Sequence, residues 1–147
     1  MRTLIQRVTK AAVEIAGTPY SSIGPGYAIF LGVGEGDTEK DAEFLADKTA
    51  NLRVFSNSDG KFDHSLLDVK GEALVVSQFT LYGDATKGRR PDFTKAAKPA
   101  EADRLYKYFI ACLSAKGIKV KTGLFAADMT VEILNDGPVT IILDSRK

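Results

Sequence analysis

The stretch GYAIFLGV, residues 26–33, decides how this chain folds. Its central part, YAIFL, contains no charged side chain and lies between two glycines. A continuous apolar run bounded by glycine is typical of a strand that is buried on both faces. The sequence therefore predicts a central strand here, with its partners to be found before and after it in the chain.

Further strands are predicted on both sides of this central strand. RTLIQRV (2–8) and AAVEIAG (11–17) have the length and composition of two short strands, and the Gly/Pro-rich SSIGPG (21–26) connects them to it. ALVVSQFTLY (73–82) is a second strongly apolar strand candidate. The remaining candidates are LRVF (52–55), IKVKTG (118–123), MTVEIL (129–134) and VTIIL (139–143).

Two amphipathic helices are predicted between the strands. The first lies within residues 34–52, where Thr38 can cap the helix and Asp41 places negative charge at its N-terminus. The second begins near Pro99, a residue favoured in the first turn of a helix, and stops at Gly117. The predicted buried faces are Ala42, Leu45, Ala46, Thr49 and Leu52 in the first helix, and Leu105, Tyr108, Phe109, Cys112 and Leu113 in the second.

The order of these elements predicts one α+β domain over residues 1–147. We expect a mostly antiparallel or mixed β-sheet, or a barrel-like core, with the two helices packed on it. A content of 44% apolar and 27% charged residues is that of an ordinary globular protein. The charged first segment resembles neither a signal peptide nor a membrane span, and the single cysteine fits a reducing compartment, so a cytoplasmic protein without membrane contact is expected.

Polar side chains follow the apolar half of the strand candidate ALVVSQFTLY. Ser77, Gln78 and Thr80 come directly after Val75 and Val76. A buried strand carries such groups only where partners satisfy them. Two interpretations stay open here: the strand emerges into solvent, or its end presents hydroxyls, an amide and free backbone N–H groups to a substrate.

A basic segment follows, KGRRPDFTKAAKP (87–99). The formal net charge of +1 gives no general attraction to nucleic acid, so only a local patch such as this one can bind a polyanion. Arg89 and Arg90 with Phe93 nearby suit a phosphate backbone and a stacked base. A solvated loop explains the same composition equally well.

The segment NDGPVT (135–140) has two interpretations. Asp136-Gly137 is a good hairpin turn, and Pro138 then sits at the start of an edge strand, where it needs no ladder hydrogen bond. Alternatively, the Gly137-Pro138 bond is cis, as only ~5–6% of X-Pro bonds are in folded proteins. Two successive carbonyl oxygens would then face the same side and form a rigid rim of acceptors.

Two other features carry weaker signals. The run GVGEGD (32–37) lacks the glycine spacing of a dinucleotide site and the Lys-Ser/Thr ending of a phosphate loop, so a plain tight turn is expected. His64 is the only histidine, and no pattern places it near Ser77 for a catalytic triad. Metal-ligand spacing is also absent. We therefore expect neither a metal nor a cofactor.

Taken together, these motifs resemble the D-aminoacyl-tRNA deacylase family along essentially the whole chain. The resemblance rests on LIQRV (4–8), IGPGYAIFLGV (23–33), SQFTL (77–81), KGRRPDFTKAAKP, GLFAADM (123–129) and NDGPVT. It implies an enzyme that hydrolyses the ester between a D-amino acid and the terminal ribose of tRNA, and that also clears glycine from mischarged tRNA. It implies a homodimer with active sites at the subunit interface, where SQFTL of one subunit meets the cis Gly137-Pro138 rim of the other.

The resemblance also suggests roles for individual residues. In the catalytic group, the Phe79 amide and the Gln78 side chain would hold the substrate carbonyl. The nucleophile is either the Thr80 hydroxyl or a water; because the sequence shows no base beside Thr80, we favour water assisted by the ribose 2′-hydroxyl, with Ser77 and Thr80 in positioning roles. In the substrate-binding group, Arg7 would hold the Gly-Pro loop through a carbonyl. The other members of that group are Gly137, Pro138, Asn135, Phe125 and Met129, and the tRNA acceptor end would meet Arg89, Arg90 and Phe93.

Two other functional classes remain alternatives. A non-catalytic tRNA- or RNA-binding module would use the basic segment and would bind tRNA without cleaving the ester. A nucleotide-binding protein would use GVGEGD and would bind ATP or a dinucleotide. Both leave NDGPVT without a role.

Overall fold

The computed structural model describes residues 1–147 as eight strands, two α-helices and one 3₁₀ turn. The helices are α1 (Glu39–Asn51) and α2 (Pro99–Ala115), and the 3₁₀ turn spans Phe79–Tyr82. The strands are β1 (Arg2–Ile15), β2 (Thr18–Ile23), β3 (Gly26–Gly32), β4 (Phe55–Ser56), β5 (Phe62–His64), β6 (Glu72–Ser77), β7 (Lys119–Thr122) and β8 (Thr130–Asp144).

The main sheet is mixed and has the order β2-β1-β3-β6-β7, with β8 paired to the other side of β1. The strands β3, β6 and β7 are parallel to one another, whereas β1 is antiparallel to all three of its partners. At the far ends of the sheet, the Ser21 hydroxyl of β2 donates to the Thr122 carbonyl of β7 at 2.7 Å, so the sheet curls almost into a barrel. The predicted α+β class with two helices is confirmed.

Residues 2–15 form one strand, so the prediction of two short strands there is wrong. β1 pairs with β3 up to Val8 and with β2 from Ala11 onward. Because it changes partner, the second half of β1 can bend over the inner face of the main sheet. SSIGPG is likewise not a plain connection, because its first half belongs to β2. The signal for that hairpin was Ala16-Gly17, whose φ angles of 50° and 75° give the two-residue turn that suits antiparallel strands.

Residues 130–144 also form one strand, and the predicted hairpin at Asp136-Gly137 is wrong. β8 pairs with β1 on both sides of this point, from Thr130 opposite Glu14 to Asp144 opposite Arg2. The register shifts where the two strands bend together, so residues 136–139 bulge out opposite Arg7. The Gly137-Pro138 peptide bond in this bulge is cis, and Gly137 has φ of +131°.

Two other strand predictions were too long. β6 ends at Ser77, and the remaining FTLY turns into the 3₁₀ helix. Of LRVF, only Phe55 is in a strand, the short β4 that pairs with β5 around a turn at Gly60. Apolar side chains of both segments, such as Val54 and Tyr82, are buried although these residues lie outside the strands.

The two helices follow the sequence signals at their ends. Pro99 is the first residue of α2, and Gly117 takes a left-handed φ of +87° just after it. The buried faces are Ala42, Leu45, Ala46, Thr49 and Ala50 in α1, and Ala102, Leu105, Tyr106, Phe109 and Leu113 in α2. The α2 face is therefore centred one position away from the prediction: Tyr106 is buried, while Tyr108 and Cys112 are only half-buried.

The core has two parts, one on each face of the main sheet. The larger packs both helices against the outer face of β3 and β6, around residues such as Ile29, Leu45 and Leu105. The smaller lies under the bent β1–β8 ribbon, around Val13 and Leu74. Neither helix has both the length and the apolar character needed to cross a membrane.

The N-terminus of α1 gives a test of stability. The Asp41 carboxylate accepts hydrogen bonds from the Thr38 amide (2.8 Å) and hydroxyl (3.0 Å), and from the Ser145 hydroxyl (2.6 Å). Burial alone would raise the pKa of Asp41, but these hydrogen bonds outweigh burial, and the pKa lies below its ordinary value of 3.8. The charged form is thus the one that stabilises the fold.

We expect Asp41→Asn to lower the free energy of unfolding by about 1–2 kcal/mol at pH 7. Because the folded-state pKa is depressed, this contribution is complete above pH 3.8 and is lost as the pH falls through the folded pKa. Urea unfolding of both proteins from pH 7 to pH 2.5 should therefore show two curves that converge in acid. Asp59→Asn, at an exposed carboxylate without a partner, is the control and should change little.

Candidate active site

A cavity of about 680 Å³ opens where β6 ends. Most of its wall is apolar, and its polar side chains are few. Three segments form it: the end of β6 with the 3₁₀ turn, the loop before α2, and the segment before β8. Its lining residues are Val33, Val76, Ser77, Gln78, Phe79, Phe93, Ala96, Ala97, Pro99, Ala102, Phe125, Ala126, Ala127, Asp128, Met129 and Val131.

The 3₁₀ turn leaves two backbone N–H groups free beside this cavity. The Gln78 amide still donates to the Leu31 carbonyl of β3 (2.8 Å), and the turn is then closed from Leu81 to Gln78 (3.2 Å) and from Gly83 to Thr80 (2.9 Å). The amides of Phe79 and Thr80 have no acceptor within the chain. Consecutive free N–H groups at the start of a helical turn form a site for negative charge.

The side chains of SQFTL divide between the cavity and the surface. Ser77, Gln78 and Phe79 line the cavity, whereas Thr80 does not. The Thr80 hydroxyl instead accepts a hydrogen bond from the Gln78 side-chain amide. An amide has no basic form at neutral pH, so this partner orients the hydroxyl but cannot take its proton.

The segment 123–129 forms the opposite wall of the cavity and is tied to β6. The Gly123 amide donates to the Val75 carbonyl (3.1 Å), which also accepts a hydrogen bond from the buried Tyr106 hydroxyl (2.8 Å). Phe125 packs against the Tyr106 ring with centroids 6.0 Å apart. Phe125 and Met129 both line the cavity, as do Ser77 and Phe79 across it.

The basic segment forms the rim of the cavity. It is held by backbone bonds from Glu35 to Lys95 (2.9 Å) and from Ala97 to Val33 (3.0 Å). Phe93 lines the cavity and meets the Phe79 ring edge-on at 5.0 Å. Five cations of this rim are exposed and form no ion pair: Lys87, Arg89, Arg90, Lys95 and Lys98.

The remaining site residues form a second group around the bulge of β8. Arg7 is 8% exposed, and its Nε donates to the Asp136 carbonyl at 3.1 Å, with the Asp136 carboxylate at 3.3 Å. Its Nη1 donates to the Val54 carbonyl, and its guanidinium lies 5.7 Å from the centre of the Phe62 ring. The three other members of this group are exposed: Asn135, Gly137 and Pro138.

The two groups do not meet within one chain. None of Arg7, Asn135, Gly137 or Pro138 lines the cavity. Gly137 lies six positions along β8 from Val131, which does line the cavity, and six positions of strand span roughly 20 Å. The bulge is thus an exposed feature that is separate from the cavity.

Sequence reasoning missed most of the apolar lining and one buried polar cluster. Alanines such as Ala96 and Ala127 carry no signal of a cavity wall in the sequence. Asp37, at the end of GVGEGD, is fully buried, and its carboxylate accepts a hydrogen bond from the Gly34 amide at 2.5 Å. GVGEGD is thus a tight turn, as expected, and His64 is an exposed residue of β5 that lines no part of the cavity.

A family model and curated relatives match the chain over nearly its whole length. The family model of D-Tyr-tRNA(Tyr) deacylase matches residues 4–144. A D-aminoacyl-tRNA deacylase of Dehalococcoides mccartyi is 58% identical over 146 residues, which cover 99% of this chain and 95% of that protein. One of Bacillus pumilus is 54% identical over 147 residues and covers 100% of both chains.

Two solved structures are also similar. One, described as a c-Myc DNA unwinding element binding protein, has a TM-score of 0.92 at 41% identity and covers 98% of both chains. The other, a probable eukaryotic D-amino acid tRNA deacylase, has a TM-score of 0.82 at 17% identity and covers 97% of both, so it supports the fold alone. On the family match and on relatives that are more than half identical over their full length, the chain belongs to the D-Tyr-tRNA(Tyr) deacylase family.

Proposed function

We propose that this protein hydrolyses the ester of D-aminoacyl-tRNA and releases the free D-amino acid and tRNA. The observation that carries the proposal is the pair of free amides at Phe79 and Thr80, next to a largely apolar cavity. Ester hydrolysis passes through a tetrahedral oxyanion, and donors fixed at the position of that oxygen stabilise it. One such donor lowers the activation free energy by about 3–4 kcal/mol.

The nucleophile in this proposal is water. Water attacks the ester carbonyl carbon, the bond to the ribose oxygen breaks, and the proton lost by the water ends on that oxygen. A threonine nucleophile would need a neighbouring base. The hydroxyl of Thr80 is hydrogen-bonded to the Gln78 amide, which cannot serve as one. The 2′-hydroxyl of the terminal ribose assists in our account, while Ser77 and Thr80 position the substrate.

Selection of the D configuration is assigned to the bulge of a second copy of the chain. The protein acts as a homodimer, in which Gly137 and Pro138 of one copy close the cavity of the other. The carbonyl oxygens of this segment accept hydrogen bonds from the α-ammonium group of the substrate, and the segment leaves no room for a side chain on the L side. Glycine has no side chain to exclude, so glycyl-tRNA is also cleaved.

The tRNA end is assigned to the basic rim. Arg89 and Arg90 are exposed and unpaired, and they lie in the same loop as Phe93, which lines the cavity. Guanidinium groups bind phosphate well, and an aromatic ring provides a surface for the terminal base. Asn135 is assigned to the bulge as a further contact to the substrate.

The alternatives have less support. An RNA-binding module without activity would use the rim but gives no role to the free amides or the cavity. A nucleotide site at GVGEGD would need its amides for phosphate, but the Gly34 amide already donates to the Asp37 carboxylate.

Parallel measurement of amino acid release from D-tyrosyl-tRNA and L-tyrosyl-tRNA tests the proposed function. We expect fast release of the D-amino acid only, with a chelator present throughout. Release from both substrates would leave a hydrolase but would contradict the role of the bulge as selector. Binding of tRNA without release from either would favour the RNA-binding module.

Thr80→Ala tests the nucleophile. Because the hydroxyl only positions the substrate, we expect the rate of D-ester cleavage to fall by no more than about tenfold, the effect of one lost hydrogen bond. Single-turnover kinetics with saturating enzyme would measure this directly. A loss of activity to the uncatalysed rate, in a variant that unfolds at the same urea concentration as the parent, would restore Thr80 as the nucleophile.

A further inference from the structure

The 3₁₀ turn that carries the free amides is held at its C-terminal end by Arg2. The Arg2 Nη1 donates to the Leu81 carbonyl at 3.0 Å, and the guanidinium lies over the Tyr82 ring at 4.6 Å from its centre. The Arg2 Nε donates to the Asp144 carboxylate at 2.9 Å, which orients the side chain toward the turn. One planar cation therefore grips both a carbonyl and a ring of the same turn.

The Tyr82 ring has further close contacts. The backbone of Gly34 lies so close that a Cβ there would come within 2.6 Å of the ring. The Tyr82 hydroxyl faces the buried Asp37 carboxylate at 3.4 Å. Burial and that carboxylate raise the pKa of the Tyr82 phenol far above its ordinary value, so the hydroxyl stays protonated and acts as a donor.

Asp37 is itself held by two positive groups. The ammonium group of Met1 lies 2.8 Å from its carboxylate, and the Arg146 guanidinium lies 2.7 Å from the same oxygen. Both the Met1 and Asp37 side chains are 0% exposed. Tyr82 thus packs against a buried charged cluster, and the Arg2 guanidinium packs on the Tyr82 ring as well.

The N-terminal half of the turn is held by the hydrogen bond from the Gln78 amide to the Leu31 carbonyl (2.8 Å) and by packing of the Phe79 ring on Phe93. The Phe79 side chain is 54% exposed, and the Thr80 hydroxyl bonds only to the neighbouring Gln78. Leu81 is two residues from Phe79, so a shift of Leu81 is passed directly to the Phe79 amide. A displacement of about 1 Å in a positioned group can reduce a rate about a hundredfold.

We propose that Arg2 is a positioning residue of the active site. Its hydrogen bond to the Leu81 carbonyl and its contact with the Tyr82 ring fix the 3₁₀ turn, and with it the Phe79 and Thr80 amides. The inference rests on the proposed function of those amides as the oxyanion site. Arg2 touches no substrate in this account, since it does not line the cavity. Its effect is therefore expected on the chemical step and not on substrate binding.

A purely structural role for Arg2 is the alternative, and the chain offers a control for it. Lys10 also lies on β1 and forms a cross-strand ion pair with β8, its Nζ being 3.2 Å from the Glu132 carboxylate. The Arg2 side chain is 37% exposed and that of Lys10 is 53% exposed. The Lys10–Glu132 pair is exposed on both sides and contributes little to stability. Asp144 is only 10% exposed, so urea unfolding of Arg2→Met must first show that the variant is folded.

The experiment compares Arg2→Met and Lys10→Met with the parent protein in two measurements. The first is amide hydrogen exchange by NMR at Leu81 and Gly83, whose N–H groups close the turn. We expect exchange at both to become at least about tenfold faster in Arg2→Met and to stay unchanged in Lys10→Met. Arg2→Lys, which keeps a cation at Asp144 but loses the planar fork, should show the same change in weaker form.

The second measurement is the kinetics of D-aminoacyl-tRNA cleavage. We expect kcat to fall by about 10- to 100-fold in Arg2→Met, with KM within about threefold of the parent, and no change in Lys10→Met. Unchanged exchange at Leu81 and Gly83, or unchanged kcat despite faster exchange, would overturn the proposal. If the parent protein itself cleaves no ester, the proposed function fails, while the exchange data still decide whether Arg2 holds the turn.

Discussion

The buried Arg7 guanidinium connects the parts of the chain that meet at the bend of the β1–β8 ribbon. A guanidinium does not lose its charge in a protein, so a buried one requires acceptors on every side. Here they are the Val54 carbonyl and the carbonyl and carboxylate of Asp136. These contacts coincide with the shift in register between β1 and β8, where residues 136–139 lie outside the ladder opposite Arg7.

The position of the cavity follows from this bend. After the bend, β1 leaves β3 and pairs with β2, while the first half of β8 covers the smaller core. This brings Met129 and Val131 over the end of β6, where the sheet gives way to the 3₁₀ turn. The same bend therefore exposes the Gly137-Pro138 bulge at one place and builds a wall of the cavity at another. The proposed active site, shared between two copies, would use both the bulge and this wall.

The sequence predicted the features that depend on local chemistry. The ends of α1 and α2 were readable because capping and the backbone preferences of proline and glycine act within a few residues. The central strand could be predicted because a run as apolar as YAIFL is stable only when it is buried in the core. Ser77, Gln78, Phe79, Phe125 and Met129 line one cavity, whereas Thr80 does not. The family resemblance, and not the residue pattern, suggested these residues as members of one site.

The features that depend on distant partners were not readable. Asp136-Gly137 has the composition of a hairpin turn, and only Arg7, far away in sequence, turns it into a bulge within one strand. The end of β6 at Ser77 was missed because FTLY is as apolar as a strand, and its turn is held by Arg2 from the other end of the chain. The buried cluster at Asp37 was not predicted because the partners of Asp37 are all remote from it in sequence: Met1, Tyr82 and Arg146.

The central claim is that the bulge of one copy completes the cavity of another, and mixed dimers test it most directly. One chain would carry Ala127→Trp, which fills the cavity but leaves the bulge intact. The other would carry Gly137→Ala, where a Cβ would clash with Val139 at 2.9 Å and distort the bulge. Alone, the first should be inactive, and the second should cleave both D- and L-tyrosyl-tRNA. The mixed dimer, isolated after dissociation and reassembly, pairs the open cavity with the intact bulge and should show cleavage that is selective for the D-ester. If mixing restores no selectivity, each chain forms its site by itself, and the account is wrong.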